Sequence, residues 1–354
     1  MELTITPATA LKPKPADDKL GFGTHFTDNM FSMDYAPDKG WHNARIEPYQ
    51  PIAMDPATMV LHYGQGVFEG LKAYATEGGE IQLFRPQENF KRLNNSCRML
   101  CIPEFDAADA LDALKALLRI EKDWIPRAPE TSLYIRPTIV AMDPFLGVRA
   151  SHTYRFFIIL SPVGAYYAEG FNPIKIMVTK EHVRAVRGGV GEAKTLGNYA
   201  ASLLAGEKAQ RAGYTQVLWL DGVEQKHIEE VGSMNIFFVL DDELVTPELN
   251  GSILPGITRD SVIQLARSWG MRVGERKISI DEVITAHQEG QLREVFGSGT
   301  AAVISPVGEL KYDEKVIAIG DGKVGPVSQK LFDAIKAIQY GQGEAPMGWV
   351  EPVA

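Results

Sequence analysis

The chain has 354 residues, 45% of them apolar, with 36 Lys and Arg set against 45 Asp and Glu for a net charge of −9. That length can bury one large core or two of ordinary size. The charges are interleaved rather than gathered into a basic stripe, which argues against nucleic acid as a partner, and no run approaches the roughly 18 apolar residues of a membrane span.

Residues 1–20, "MELTITPATALKPKPADDKL", are rich in Pro, Lys and Asp, carry no signal pattern and read as a loosely held arm, with the cytoplasm as the expected compartment. A first domain is expected over residues 21–165. Within it "FGTHFTDNMFSMDY" reads as a strand and "EIQLFRPQENFKRL" switches from strand to helix. "DAADALDALKALLRIEKDWI", from Asp106, has the three-and-four spacing of an amphipathic helix, and "TSLYIRPTIVAM" and "TYRFFIILSPVG" read as strands. The only cysteines, Cys97 and Cys101, fall four apart in "PQENFKRLNNSCRMLC". Read as one helix, this puts both thiols on one face packing the core, with too few neighbouring ligands for a metal.

Gly, Pro and Tyr crowd the next stretch, and residues 166–173 read as the interdomain linker. The second domain is expected over residues 174–354. "IKIMVTK" is a strand, a glycine-rich loop follows, and "NYAASLLAGEKAQRAGY" is a helix stopping at Gly213. "TQVLWLDG" and "HIEEVGSMNIFFVLDDELVTP" read as hairpin-linked strands, "PGITRDSVIQLARSWGMRV" as a helix, and "LREVFGSGTAAVISPVGEL" as strand, glycine turn, strand. Strands and helices mixed through both halves argue for an α+β, or mixed α/β, protein of two domains.

The loop "AVRGGVGEAKTLGNYAAS" places Lys194 where it nearly completes a phosphate-binding G-x-x-x-x-G-K-[ST] motif, and Asp221 ends an apolar run as a magnesium-holding carboxylate would. Ala193 in place of glycine and the charge of Glu192 oppose a nucleotide there, and a hairpin Asp-Gly suits Asp221 better. The other reading of Lys194 is a lysine that bonds covalently to pyridoxal phosphate. That cofactor needs an acid for its ring nitrogen, a hydroxyl for its phenolic oxygen, and amides, hydroxyls and a cation for its phosphate. Glu230, Tyr199, Thr258, Arg92 and Thr300 are of those types.

At "GGVGEAKTLGNY", "EEVGSMN", "LPGITRD" and "FGSGTAA", in this order and spacing, and from "FGTHFTDNMF" to "AIQYGQ", the chain resembles the branched-chain amino acid aminotransferases. These are fold type IV pyridoxal phosphate enzymes, with a smaller N-terminal α/β domain and a larger C-terminal domain of barrel-like mixed sheets. The resemblance implies reversible amino transfer between leucine, isoleucine or valine and 2-oxoglutarate. It implies that Lys194 holds the cofactor and moves the substrate's proton, that Glu230 meets the ring nitrogen, and that Tyr199 meets the phenolic oxygen. Arg92, the Ile257 and Thr258 amides, the Thr258 hydroxyl and Thr300 would take the phosphate. Tyr63, Thr300, the Ala301 amide and Arg136 would receive the substrate carboxylate, with Phe22, Phe68, Tyr134 and Tyr166 as an aromatic wall. Leu146 and Val148 of "PFLGVRA" would come from the neighbouring subunit of a homodimer. No metal is implied. Ser233 stands where some relatives place a threonine against the substrate, and Ala302 and Ser305 stand where many mammalian members carry a C-x-x-C. Within this fold the alternatives are a D-amino acid aminotransferase or a pyridoxal phosphate lyase; outside it, a nucleotide-binding protein.

Overall fold

In the computed structural model, which describes residues 2–164 and 170–353, the elements divide between two units. One comprises Met1–Tyr166, Ala193–Leu196 and Ala337–Ala354, the other Tyr167–Glu192 and Gly197–Lys336.

The first unit contains β1 (Leu3–Ile5), β2 (Asn29–Ala36), β3 (Gly40–Pro48), α1 (Met59–Tyr63), β4 (Gly66–Phe68), β5 (Leu71–Ala75), β6 (Ile81–Phe84), α2 (Pro86–Met99), α3 (Ala107–Ile120), β7 (Ser132–Ala141) and β8 (Tyr154–Val163). Its sheet runs β1-β3-β2-β8-β7-β5-β6 and ends on the C-terminal strand Val350–Pro352, with β4 pairing β7. Along the first six residues of β8 buried and half-buried positions alternate, as a strand with one face in a core requires, and its last four are all buried. Phe90, Leu93 and Cys97 of α2 and Leu114, Leu117 and Leu118 of α3 fill the core against Phe31, Ile135 and Leu160. Asp106 caps α3, accepting from the Ala108 and Asp109 amides.

Three expectations differ from this structure. The arm is fastened, because β1 pairs in parallel with β3 and the Lys12 amide donates to Asp28 at 2.7 Å. The chain's last 18 residues, 337–354, fold with the first unit rather than the second. There Val350–Pro352 pairs with β6, and the Gln82 amide donates to the Ile338 and Gln339 carbonyls at 2.9 Å. The cysteines do not share a helix. Cys101 lies beyond the end of α2 with φ of 55° and is exposed, while Cys97 is buried. The Ile102 amide donates back to the Cys97 carbonyl at 2.9 Å, the bond of a left-handed helix stop.

The second unit contains β9 (Ile174–Val178), α4 (Leu196–Ala201, which begins at the boundary), α5 (Leu203–Arg211), β10 (Gln216–Leu220), β11 (Ile228–Val231), β12 (Met234–Leu240), β13 (Glu243–Thr246), α6 (Ile257–Ser268), β14 (Arg272–Glu275), α7 (Ile280–Gln288), β15 (Leu292–Gly299), β16 (Val303–Tyr312), β17 (Lys315–Ala318) and α8 (Pro326–Gln339). Strands β11-β10-β9-β16-β15-β12 pair in that order, and β12 pairs back to β11, so six strands close into a barrel. Ile176, Leu218, Val231, Ile236, Phe238 and Leu310 pack with Val283 of α7. The helix expected after Lys194 breaks at Ser202, whose hydroxyl donates to the Tyr199 carbonyl at 2.8 Å and competes with the helical ladder.

Asp221 closes the turn after β10. Burial pushes its pKa up, but amides of His227, Lys226, Glu224 and Val223 donate to the carboxylate and hold it at about 2. Those bonds occupy the lone pairs a magnesium ion would need. No helix among the described residues is long and apolar enough to cross a membrane.

Candidate active site

Lys194 is positioned by its own backbone. Its amide donates to the Ser96 hydroxyl of α2 at 2.9 Å, its carbonyl accepts from the Phe68 amide at 3.0 Å, and Thr195 bridges to Val67. The lysine is thereby clamped between a helix and the short strand β4. Its Nζ lies 5.1 Å from the centroid of the Phe68 ring, and the Arg136 guanidinium lies 4.8 Å from the same centroid. Arg136 donates to the Tyr134 hydroxyl at 3.0 Å, and Tyr134 meets Phe22 edge to face at 5.0 Å. The first unit thus brings Lys194, Phe68, Arg136, Tyr134 and Phe22 into one chain of contacts, a lysine beside an apolar wall that carries a cation.

Arg92 sits in the same unit, buried on α2. Glu69, wholly buried, grips it at 2.7 and 2.9 Å. Burial opposes the charge on Glu69, but Arg92, aided by Lys194 and Asn89, outweighs it and holds the pKa below the usual carboxylate range. Glu69 is a residue that sequence reasoning missed; its signal was the "FEG" that follows Val67.

In the second unit the strand register builds a polar row. Glu230 pairs with Asn235, and Asn235 pairs with Ser298, so the three side chains share a face of the barrel wall. Glu230 Oε1 accepts from Asn235 at 3.2 Å and from the Leu254 amide at 3.1 Å. Its Oε2 lies 2.5 Å from Arg184 Nε, a close ion pair rather than an aligned hydrogen bond. Arg184 also donates to the carbonyls of Gly191 and Ser252. A Cβ at Gly191 would sit 2.3 Å from the Ser252 carbonyl oxygen, so this glycine serves close backbone approach. That use, not a phosphate cradle, accounts for its place in the loop before Lys194.

The start of α6 abuts the same row. A Cβ on its cap, Gly256, would lie 1.9 Å from Asn235 Oδ1, and only glycine lets the helix N-terminus approach so closely. Ile257 and Thr258 open that helix, whose first amides suit an anion. Thr300 and Ala301 occupy the half-buried turn between β15 and β16. The turn leads into Val303 at φ of 63°, a strained conformation for a β-branched residue. Tyr199 is half-buried on α4. Ser298, buried beside that turn, has a hydroxyl without a hydrogen-bond partner among the described residues. A buried carboxylate, helix amides and an orphaned hydroxyl fit a group carrying a ring nitrogen and a phosphate. Arg184, Asn235 and Ser298 were not anticipated from the sequence, although Asn235 and Ser298 stand inside "EEVGSMN" and "FGSGTAA".

Other expected residues are exposed. Tyr63 ends α1 and is exposed, and Ser233 is exposed in the turn between β11 and β12. Tyr166 lies outside the described residues. Leu146 and Val148 are 66% and 88% exposed in the loop between β7 and β8. Asp143 anchors that loop, accepting from the His152 and Thr153 amides and the Thr153 hydroxyl and pairing with Arg149. Burial alone would raise its pKa, yet these donors hold it at about 2, below the ordinary value of about 3.9. A depressed pKa contributes stability that is present above about pH 4 and is lost as the pH falls through about 2. Exchange protection of the His152 and Thr153 amides is therefore expected to collapse across that window, and Asp143→Asn to abolish it already at neutral pH. Unchanged protection in Asp143→Asn would count against this anchor.

Residues 66–310 match the protein family described as Amino-transferase class IV. The chain belongs to that family. This class IV aminotransferase is 60% identical over 354 residues to branched-chain-amino-acid aminotransferase 2 of Bacillus subtilis, covering 100% of this chain and 96% of that one. It resembles the solved branched-chain amino acid aminotransferase of Escherichia coli with a TM-score of 0.78 at 31% identity, over 92% of this chain and 99% of the other. The branched-chain amino acid aminotransferase from Thermobaculum terrenum, solved in its PLP-form, matches with a TM-score of 0.75 at 26% identity, over 93% and 100% of the two chains.

Proposed function

We propose that this enzyme is a branched-chain amino acid transaminase that uses pyridoxal phosphate to move an amino group reversibly between L-leucine, L-isoleucine or L-valine and 2-oxoglutarate. The observation that carries the reading is the Phe68 ring, with Lys194 Nζ at 5.1 Å and the Arg136 guanidinium at 4.8 Å. One wall offers apolar surface to a branched side chain and a cation to a second carboxylate. The whole-length likeness to a branched-chain-amino-acid aminotransferase supports it over a D-amino acid aminotransferase or a lyase.

When bound, pyridoxal phosphate supplies an electron sink for the bond broken at the substrate Cα. The protein does the rest. Lys194 Nζ would be the point of covalent attachment and the group that moves the proton at the substrate Cα. Glu230, kept in place by Arg184, Asn235 and the Leu254 amide, would hold a proton on the ring nitrogen. The Ile257 and Thr258 amides, the Thr258 hydroxyl, Thr300 and Ser298 would donate to the phosphate, and Arg92, braced by Glu69, would supply a cation for it. Tyr199 would meet the phenolic oxygen. The family resemblance would assign Tyr63, Arg136 and the Ala301 amide to the substrate carboxylates, and Phe22, Phe68 and Tyr134 would exclude water around the side chain. A cytoplasmic homodimer is part of this reading, with the exposed Leu146 and Val148 covered by a second copy of the chain.

The test is kcat/KM for L-leucine, L-alanine, L-aspartate and D-alanine with 2-oxoglutarate as acceptor. A methylene in such a pocket contributes about 1–3 kcal/mol, so leucine is expected to exceed alanine by well over tenfold. D-Alanine or L-aspartate outrunning L-leucine would overturn the assignment.

A further inference from the structure

We infer that Ser161 is a specificity-determining residue for the dicarboxylate substrate, an inference that rests on the transaminase reading above. Strands β7 and β8 pair so that Ser161 lies directly opposite Tyr134, and Lys72 of β5 lies opposite Tyr134 on its other side. Cross-strand partners share a face, and residues two apart on one strand share it as well. Lys72, Tyr134, Arg136 and Ser161 therefore stand on one face of the first unit's sheet. Lys72 and Ser161 are 8% and 4% exposed.

Two atoms on this face are buried with no hydrogen-bond partner among the described residues: the Ser161 hydroxyl and Arg136 Nε. Buried polar atoms are normally paired, and two orphans on adjacent strands are unusual. The Tyr134 hydroxyl accepts from Arg136 at 3.0 Å, which leaves its own proton to donate elsewhere. The face thus offers N–H and O–H donors, among them the Arg136 guanidinium, and the chemistry that satisfies them is an anion with several lone pairs. A carboxylate is such a group. Phe68 ties the face to the reacting end, because Arg136 and Lys194 both lie over its ring. The carboxylate at the far end of a five-carbon substrate is the part that needs these donors. Leucine presents methyl groups there and uses none of them.

Ser161 thereby acts on one of the two half-reactions and not on the other. Removing its hydroxyl in Ser161→Ala is expected to lower kcat/KM for L-glutamate and 2-oxoglutarate about tenfold, the effect of losing one hydrogen bond to a charged group. The value for L-leucine should stay within about twofold, as its side chain leaves the hydroxyl unused. The dissociation constant of glutarate, an unreactive dicarboxylate, measured by calorimetry on the holoenzyme, should rise by the same factor. Ser161→Thr, which keeps the hydroxyl, should bind glutarate as the parent does, and it serves as the second variant if the alanine form melts early. Equal losses on leucine and glutamate, or an unchanged glutarate constant, would overturn the role of Ser161. A parent protein that transfers no amino group from leucine would overturn the underlying reading instead.

Discussion

Lys194→Ala is expected to lower amino transfer by at least about four orders of magnitude while the protein stays folded. The two losses compound. Without Nζ there is no covalent attachment, and the positioned acid–base group, worth about 10²- to 10⁴-fold by itself, is gone. The fold survives because the bonds that place residue 194 come from its backbone, the amide to Ser96 and the carbonyl to Phe68. Glu69 loses one favourable charge but keeps Arg92 and Asn89. Steady-state turnover and thermal melting together check this, and a variant that melts with the parent yet retains more than a hundredth of its activity would refute the role of the lysine.

Glu230→Gln should be the next most damaging change, and it should show in stability as well as rate. Removing a preorganised charge at a reacting centre costs about 10²- to 10³-fold in turnover. It also strands Arg184, whose side chain is 8% exposed and whose Nε lies 2.5 Å from the lost charge. Breaking one side of a buried ion pair typically destabilises by about 3–5 kcal/mol, whereas replacing both charges with apolar groups can be neutral. The double variant Glu230→Gln, Arg184→Met should therefore recover much of the stability and none of the activity. Urea unfolding of the cofactor-free protein and turnover of the loaded one separate the two effects. Full activity in Glu230→Gln would show that the acid does not serve the ring nitrogen.

Periodicity made most of the elements legible. The apolar spacing after Asp106, the β-branched runs of β7 and β8 and the glycine turn between β15 and β16 all lie where local pattern places them. What local pattern missed was non-local or depended on a single backbone angle. Nothing near "GWVEPVA" announces that Val350–Pro352 pairs with β6, more than 260 positions away. The helix of α2 stops at Met99 because Cys101 turns left-handed, and a cysteine is not a usual residue for that turn. The site followed the same rule. Lys194 and Glu230 stood out by residue type within specific motifs. Glu69, Arg184, Ser161 and Ser298 become visible only when strand register and tertiary pairing show what each side chain faces.

On this reading Lys194 is the residue that carries the cofactor. Its most direct test is to incubate the protein with pyridoxal phosphate, reduce with borohydride and map the labelled peptide by mass spectrometry. The expected result is a visible absorbance band that shifts when L-leucine is added, and after reduction a single pyridoxyl label on Lys194. A label on Lys180 or Lys208, or no label at saturating pyridoxal phosphate, would contradict it.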